Sequence, residues 1–327
     1  MNHLNAEYQI LGSSRAIRGV VETAQLFAPY DFGVLITGET GTGKDLVARA
    51  IHGYSPRKDN RFVPLNCGGI PEELVESELF GHEKGSFTGA YEAKRGIFEV
   101  ANSGTLFLDE VGNMSAVAQA SVLTAIEYGS FMRLGGTQEI KTDARVLAAT
   151  NKELRGSPGF REDLYYRLSS GRITIPPLRE RKEDIESIAL FYLKALNARY
   201  SKQKRLDADA LKALKNYEFP GNVRELLNIL EHSFATSRGD VIEAYNITER
   251  IDAERLTRQL NVESSVTWHR AENTKAREDI LVAALRKTNG NIKEAARIIQ
   301  VPRQSVYVFL EKSGHTTESF CREHGIK

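Results

Sequence analysis

Cysteine is nearly missing. The 327 residues hold two, Cys67 and Cys321, too few and too far apart for a disulfide framework or a cysteine metal cluster. A reducing cytoplasm is the compartment that fits. Long apolar runs are missing as well. Stretches such as Val34-Leu35-Ile36 fall far short of the ~20 residues a membrane helix needs, so no membrane partner is expected. The opening residues, MNHLNAEYQILGSS, lack the basic-then-apolar pattern of a secretory signal. There is no internal repeat and no low-complexity tract. With 41% hydrophobic and 27% charged residues, the composition is that of globular domains and excludes collagen, coiled-coil rods and large-scale disorder. At about 100–200 residues per domain, the length allows two or three domains.

A net charge is missing too, since 44 Lys+Arg oppose 43 Asp+Glu. The balance is uneven along the chain. His269 to Lys327 holds 11 basic and 7 acidic residues, a net of +4, which leaves 33 and 36, a net of −3, for the remainder. A basic tail suits an anionic partner, and an ordinary solvated surface explains the same counts.

What is present is alternation. Val34–Thr37, Arg61–Leu65, Thr105–Leu108 and Arg145–Thr150 read as strands, and Asp45–Ile51 has helical spacing. Strands alternating with helices indicate an α/β domain with a largely parallel sheet, whose ligands sit outside the carboxyl ends of the strands. Ile175-Pro176-Pro177-Leu178 breaks this pattern. Beyond it, Glu183–Arg199, Asp207–Tyr217 and Val223–Ser237 place apolar residues three or four apart, predicting a helical subdomain that ends near residue 250. A polar stretch to about residue 275 reads as a linker, and three short helices close the chain.

Gly38-Glu39-Thr40-Gly41-Thr42-Gly43-Lys44-Asp45 nearly matches G-x-x-x-x-G-K-[ST]. Glycines let the backbone wrap phosphates with its N–H groups, the following helix offers its positive end, and Lys44 adds a mobile charge. A chance glycine-rich turn is the bland alternative, but the apolar strand before and the helix after supply the required context. Asp45 departs from the hydroxyl expected to reach Mg²⁺. Ala101-Asn102-Ser103-Gly104-Thr105-Leu106-Phe107-Leu108-Asp109-Glu110 reads as a second nucleotide segment. Its buried strand delivers Asp109 to hold Mg²⁺ and Glu110 to orient and deprotonate the attacking water. ATP and Mg²⁺ are the cofactors this pair of segments calls for.

With these motifs and Gly85-Ser86-Phe87-Thr88-Gly89-Ala90, the chain resembles the bacterial enhancer-binding proteins, AAA+ ATPases that activate the sigma-54 form of RNA polymerase. The resemblance runs from about Leu11 to Gly314. The hexapeptide is similar to the family's GAFTGA loop, with Ser86 in place of Ala, and Glu78-Leu79-Phe80-Gly81-His82-Glu83 before it is also family-like. As residues, the hexapeptide fits a flexible surface turn, yet Phe87 would be an exposed aromatic with no local core to join, which suits a partner contact. By resemblance, Phe87 and Thr88 touch the sigma factor. Asn66 then links nucleotide state to Glu110, and Thr150-Asn151 forms a sensor of the γ-phosphate. In Phe160–Leu168, Arg161 and Arg167 reach a neighbouring subunit's nucleotide. Their alternative is a surface helix ion-paired through Glu162 and Asp163. Arg224, in Phe219-Pro220-Gly221-Asn222-Val223-Arg224-Glu225-Leu226, resembles the second sensor, with Phe219 where the family usually has Trp. Tyr128–Gly136 resembles the second pore-facing loop. An acidic residue is common in the family at position 45, so the metal there rests mainly on Asp109, the phosphates and water.

Ile280–Arg286, Ile292–Ile299 and Arg303–Glu311 read as a helix-turn-helix, with Asn291 capping the second helix and Val306, Phe309 and Leu310 forming a core face. Any three-helix cap would share that spacing. The module is similar to the Fis-type domain ending many sigma-54 activators, although Gln300 stands where the turn usually carries Gly and the third helix is less basic than usual. Arg303, Gln304, Ser305 and Tyr307 are the candidates to contact DNA.

The resemblance therefore implies an AAA+ core at 1–175, a helical lid at 176–250, a linker at 251–275 and a Fis-type DNA-binding domain at 276–327. It implies a cytoplasmic, ATP-hydrolysing activator that binds upstream enhancer DNA and works as a hexameric ring on sigma-54 RNA polymerase. About ten residues precede the core, so switching is expected from outside, through expression, an inhibitor or a co-activator. In this the chain looks like the short phage-shock and type III secretion (hrp) activators, nearer the hrp type. The competing reading is a DNA-binding regulator with weak ATPase that acts as one component of a hetero-oligomer.

Overall fold

The computed structural model describes residues 10–255, 274–288, 290–299, 301–313 and 315–326. The chain forms two compact units, Met1–Ala244 and Tyr245–Lys327.

The first unit is built on five parallel strands: β1 Val34–Thr37, β2 Phe62–Asn66, β3 Thr105–Asp109, β4 Arg145–Thr150 and β5 Gly171–Thr174. Their order is β2-β3-β4-β1-β5. All six residues of β4 are buried, as expected of a parallel strand covered on both faces. Successive side chains point to opposite faces, and the cores follow that period. Leu106, Leu108, Val146 and Ala148 enter one core, while Phe107, Leu147, Ala149, Val34 and Ile36 enter the other. A fully buried side chain such as Phe107 contributes about 2–3 kcal/mol.

Two helices that sequence periodicity does not assign close these faces. Arg15–Phe27 packs Ile17, Val20 and Ala24 into the second core and is capped by Ser14, whose Oγ accepts from Ile17 N at 3.1 Å. Ala116–Tyr128 packs Ala118, Val122 and Ala125 into the first and is capped by Ser115. Periodicity does not assign β5 either. At the sheet edge it alternates buried Gly171 and Ile173 with exposed Arg172 and Thr174, so it shows no apolar run.

The prolines at 176 and 177 stop β5 and lead into a 3₁₀ turn, Leu178–Glu180. Helices Asp184–Tyr200, Ala208–Lys215 and Asn222–Thr236 follow, each within a residue or two of its predicted span. Of the expected linker, 256–273 lie outside the described residues, while 251–255 and 274–275 are helical.

The second unit carries four helices among its described residues C-terminal to 273: Thr274–Lys287, Ile292–Ile298, Arg303–Lys312 and Thr317–Glu323. Leu281, Leu285, Ala295, Ala296, Val306, Leu310 and Phe320 share its core. Asn291 caps the second helix, its side chain accepting from the amides of Lys293 and Glu294. The sequence predicts three helices here. The fourth is started by Thr316 and Ser319, which cap each other's amides, and it buries Phe320 completely. Gln300 and Gly314 lie outside the described residues. No helix among the described residues is long and apolar enough to cross a membrane.

Candidate nucleotide site and its loops

β1 delivers the glycine loop to the carboxyl edge of the sheet, and helix Lys44–Tyr54 leaves it. Gly41 has φ +80°, and a Cβ there would lie 2.3 Å from the Gly221 carbonyl oxygen, so the turn and the close approach both require glycine. Lys44 Nζ donates to the carbonyls of Gly38 at 2.9 Å and Glu39 at 3.1 Å. Burial pulls the Lys44 pKa down, and the carboxylates of Asp109 and Glu110 oppose it. Thr42 Oγ1 donates to Glu39 O at 2.8 Å. Asp45 is turned along its own helix, its carboxylate 2.8 Å from Arg49 Nε.

β3 sorts the second predicted segment. Ala101 to Thr105 lie at its far end, Leu106 to Leu108 fill the two cores, and Asp109 and Glu110 emerge beside the loop. Burial raises the Asp109 pKa, while the Glu110 amide donating to its Oδ1 and the charge of Lys44 pull the other way. Glu110 adopts φ +55°. Its Oε2 accepts from Asn113 Nδ2 at 3.0 Å, and Asn113 Oδ1 accepts from Lys152 Nζ at 2.6 Å. Asn66 pairs in register with Asp109, but its side chain is not on Glu110: Oδ1 accepts from the amides of Gly68 and Gly69 at 2.8 and 3.1 Å. The loop after Asn66 nevertheless passes close to the glutamate, for a Cβ on Gly68 would lie 2.1 Å from Glu110 Oε2. Asn151 Nδ2 donates to Thr40 Oγ1 of the glycine loop at 3.1 Å. Cys67 is a packed core residue whose thiol burial pushes up to about 12.

The lid grips the loop through Arg179 and Arg181, which no sequence motif covers, and Asn222, to which the motif around Arg224 gives no role. Arg179 forks onto Glu39 at 2.6 and 2.8 Å. This pairing, then Asn222, holds the Glu39 pKa down at about 2. Fully buried Asn222, at φ +54°, donates to Glu39 Oε2 and Thr40 O and accepts from Leu178 N. Arg181 Nη2 donates to Thr42 O at 3.1 Å. Arg224 comes to the same place, its amide donating to Gly41 O at 3.3 Å. The one sequence signal for Arg179 and Arg181 is their position directly after the proline break. Beside the loop, Leu11, Leu46, Val47, Ile188, Val223 and Leu227 line an apolar cavity of about 200 Å³.

The Gly85–Ala90 loop closes on itself through Gly85 N to Ala90 O at 2.8 Å and Ala90 N to Phe87 O at 3.0 Å. Phe87 is 39% exposed. It is not without a neighbour, because its ring stands edge-on to His82 at 4.9 Å. Thr88 and Gly89 are exposed, Ala90 is buried, and Ser86 Oγ is buried with no partner among the described residues. The second loop is zipped to the base of the first: Leu134 N donates to Gly81 O and Glu83 N to Leu134 O, both at 3.0 Å. Arg133 joins Glu99 and Glu83 across them, which raises the Arg133 pKa and lowers that of Glu99.

Arg161 forks onto exposed Asp163 at 2.7 and 3.0 Å, the ion pair that is the alternative to a reaching role. Arg167 Nη2 donates to Ile126 O at 3.3 Å. Among the described residues, neither is hydrogen-bonded to the glycine loop. In the second unit, Arg303, Gln304 and Tyr307 are exposed on one helix and Ser305 is half-buried. The Arg303 guanidinium donates to Tyr307 Oη at 2.7 and 3.1 Å.

Comparison with known proteins assigns three segments of the chain to families. Residues 10–174 match the sigma-54 interaction domain, 179–264 the AAA+ ATPase lid domain, and 278–312 the Fis family of bacterial regulatory proteins. The nitrogen fixation protein AnfA of Azotobacter vinelandii is 42% identical over 96% of this chain and 59% of its own length. Response regulator protein PilR of Pseudomonas aeruginosa is 47% identical over 73% of the chain and 55% of itself. Transcriptional regulatory protein ZraR of Salmonella typhimurium is 39% identical over 94% and 69%. The chain thus spans under three fifths of AnfA and PilR. Crystal structures of NtrX from Brucella abortus, in complex with ATP and with ADP, superpose with TM-scores of 0.69 and 0.70 at 31% identity, covering 94% of this chain and 70% of that one. The chain belongs to the sigma-54 interaction domain family, with an AAA+ parallel-sheet core, an AAA+ lid and a Fis-type helix-turn-helix.

Proposed function

We propose that this chain is a sigma-54-dependent transcriptional activator that couples ATP hydrolysis in an oligomeric ring to promoter opening. The observation that carries the reading is a glycine loop contacted by the Lys44 ammonium and the Arg224 amide, in a sheet whose strand β3 ends in Asp109, followed by Glu110, within a core that also presents the Gly85–Ala90 loop. The site suits a nucleotide. Loop amides and Lys44 answer an anionic end, and the adjoining apolar cavity answers a flat, apolar one. Asp109 would hold Mg²⁺, and the engagement of Asp45 by Arg49 supports that choice. A bound Mg²⁺ supplies charge neutralisation on the phosphates. Glu110 orients and deprotonates the attacking water, Asn151 and Arg224 read the phosphates, and Asn66 exchanges its loop amides for Glu110 as nucleotide state changes. Arg161 and Arg167 reach a neighbour's site in a hexamer, which requires Arg161 to leave Asp163. Trans-acting arginines of this kind are worth about 10³–10⁵ in rate. Gly85 to Ala90, led by Phe87 and Thr88, press on sigma-54 polymerase, while Arg303, Gln304, Ser305 and Tyr307 hold upstream DNA in the cytoplasm.

Two variants test this assignment. Glu110→Ala should abolish ATP hydrolysis. Thr88→Ala should hydrolyse ATP and fail to open sigma-54 promoters, and normal opening by that variant would overturn the loop assignment. The ion pair at Asp45 favours a second reading, a weak ATPase completed by a paralogue. ATPase activity that rises steeply with concentration supports the homomeric ring, and activity seen only with the paralogue supports the heteromer. Activation of type III secretion (hrp) genes belongs to the proposal as well, and genome-wide occupancy with matched transcript loss on deletion tests it.

A further inference from the structure

We infer that Asn113 positions the carboxylate of Glu110 for water activation, and that Lys152 fixes Asn113 for that task. The inference rests on the proposed hydrolysis at this site and adds two residues to it. Asn113 Nδ2 lies 3.0 Å from Glu110 Oε2, and Asn113 Oδ1 lies 2.6 Å from Lys152 Nζ. An amide can be turned either way, but a lysine ammonium only donates. The Asn113 oxygen must therefore face Lys152, and its NH₂ must face the carboxylate. Lys152 Nζ also donates to Gly112 O at 3.4 Å, which ties its head to the backbone beside Asn113.

The rest of the geometry shows why such a brace is needed. Glu110 stands at φ +55°, a conformation that side-chain-bearing residues keep only when their surroundings impose it. Among the described residues, Asn113 is the side chain that holds its carboxylate, since Asn66 is engaged by the amides of Gly68 and Gly69. Gly68 leaves room for the pair, because a Cβ there would meet Glu110 Oε2 at 2.1 Å and Asn113 Nδ2 at 2.6 Å. Lys152 also connects the brace to the loop that receives phosphate. Its amide donates to Thr150 Oγ1 at 3.0 Å, and its neighbour Asn151 donates to Thr40 Oγ1 at 3.1 Å. Thr40 and Asn113 are thus both contacted by the same short segment, Asn151–Lys152. Asn113 touches the base and not the reacting atoms, so it is a positioning residue.

The test compares Asn113→Asp, Asn113→Ala, Lys152→Met and the Ala/Met double variant in the full chain. Asp keeps the shape and the acceptor for Lys152 while replacing the donor to Glu110 by a like charge. Asn113→Asp should lower kcat at least about tenfold, part of the ~10²–10⁴ that a positioned base supplies, with KM for ATP unchanged within about twofold. The double variant should be no slower than Asn113→Ala alone, because Lys152 acts through Asn113. In the nucleotide-free chain, the Asn113 side-chain ¹⁵N amide resonance should move in both Glu110→Gln and Lys152→Met. Wild-type kcat in Asn113→Asp, additive losses in the double variant, or an amide resonance indifferent to Glu110→Gln would each overturn the inference. A wild-type chain that binds ATP without hydrolysing it at any concentration would overturn the hydrolysis reading and the kinetic role together. The amide shifts would then still decide whether the brace exists.

Discussion

Gly68→Ala isolates the geometry of the catalytic carboxylate from its chemistry. The methyl would be placed 2.1 Å from Glu110 Oε2, whereas ordinary contact begins at 3.4 Å. The carboxylate must therefore retreat by about 1.3 Å, the difference between those distances. The atoms in the way are the tips of Glu110 and Asn113, so the backbone can stay where it is. Stability should fall by no more than about 1 kcal/mol, a few degrees in Tm. Hydrolysis should suffer far more, because a displacement of ~1 Å in a reacting group costs on the order of 10²-fold, or ~2.7 kcal/mol of barrier. Steady-state ATPase should show the loss in kcat, titration with a fluorescent ATP analogue should show unchanged affinity, and a thermal melt should show a native fold. A folded variant with wild-type kcat would refute the placement of Glu110 against this loop.

Three further outcomes follow from the same structure. Arg179 and then Asn222 hold Glu39 at about 2, below its ordinary 4.5. The clamp is thus fully present above pH ~4.5 and is lost as pH falls toward 2. The paired side chains are 36% and 42% exposed, so solvent screens the clamp, and urea melts of Glu39→Gln should show a small deficit at pH 7 that shrinks below pH ~4.5. Ser86→Ala removes a buried hydroxyl without a partner among the described residues and should stabilise the folded-back loop by about 1 kcal/mol, seen as slower hydrogen exchange across Gly85–Ala90. Phe320→Ala empties a fully buried site at a cost of about 3–5 kcal/mol. It should melt the C-terminal unit and abolish DNA binding in a gel-shift assay, while ATPase activity persists.

Much of this fold is legible because parallel strands buried on both faces carry continuous apolar middles, as Val34–Ile36 in β1, Leu106–Leu108 in β3 and Val146–Ala149 in β4. The lid helices are legible because one face of each packs at a spacing of three and four. β5 is illegible for the opposite reason, since an edge strand of four residues shows only alternation. Sequence motifs also locate Lys44, Asp109, Glu110 and Arg224, and the structure brings them together. They do not locate Arg179, which meets Glu39 across 140 residues, or Lys152, which meets Asn113 across 39. Such pairs are made by the register of the sheet and the return of the lid, and no local pattern encodes them. The last helix does carry a local sign, in Thr316 and Ser319, whose capping spacing precedes Phe320.

The most direct measurement is strand opening at a sigma-54 promoter, followed by permanganate footprinting with purified polymerase and this chain. The account predicts melting that requires ATP, does not occur with a non-hydrolysable analogue, and disappears in Glu110→Ala. Melting that proceeds equally well in Glu110→Ala, or none with wild-type chain, ATP, magnesium and any sibling subunit, would contradict it.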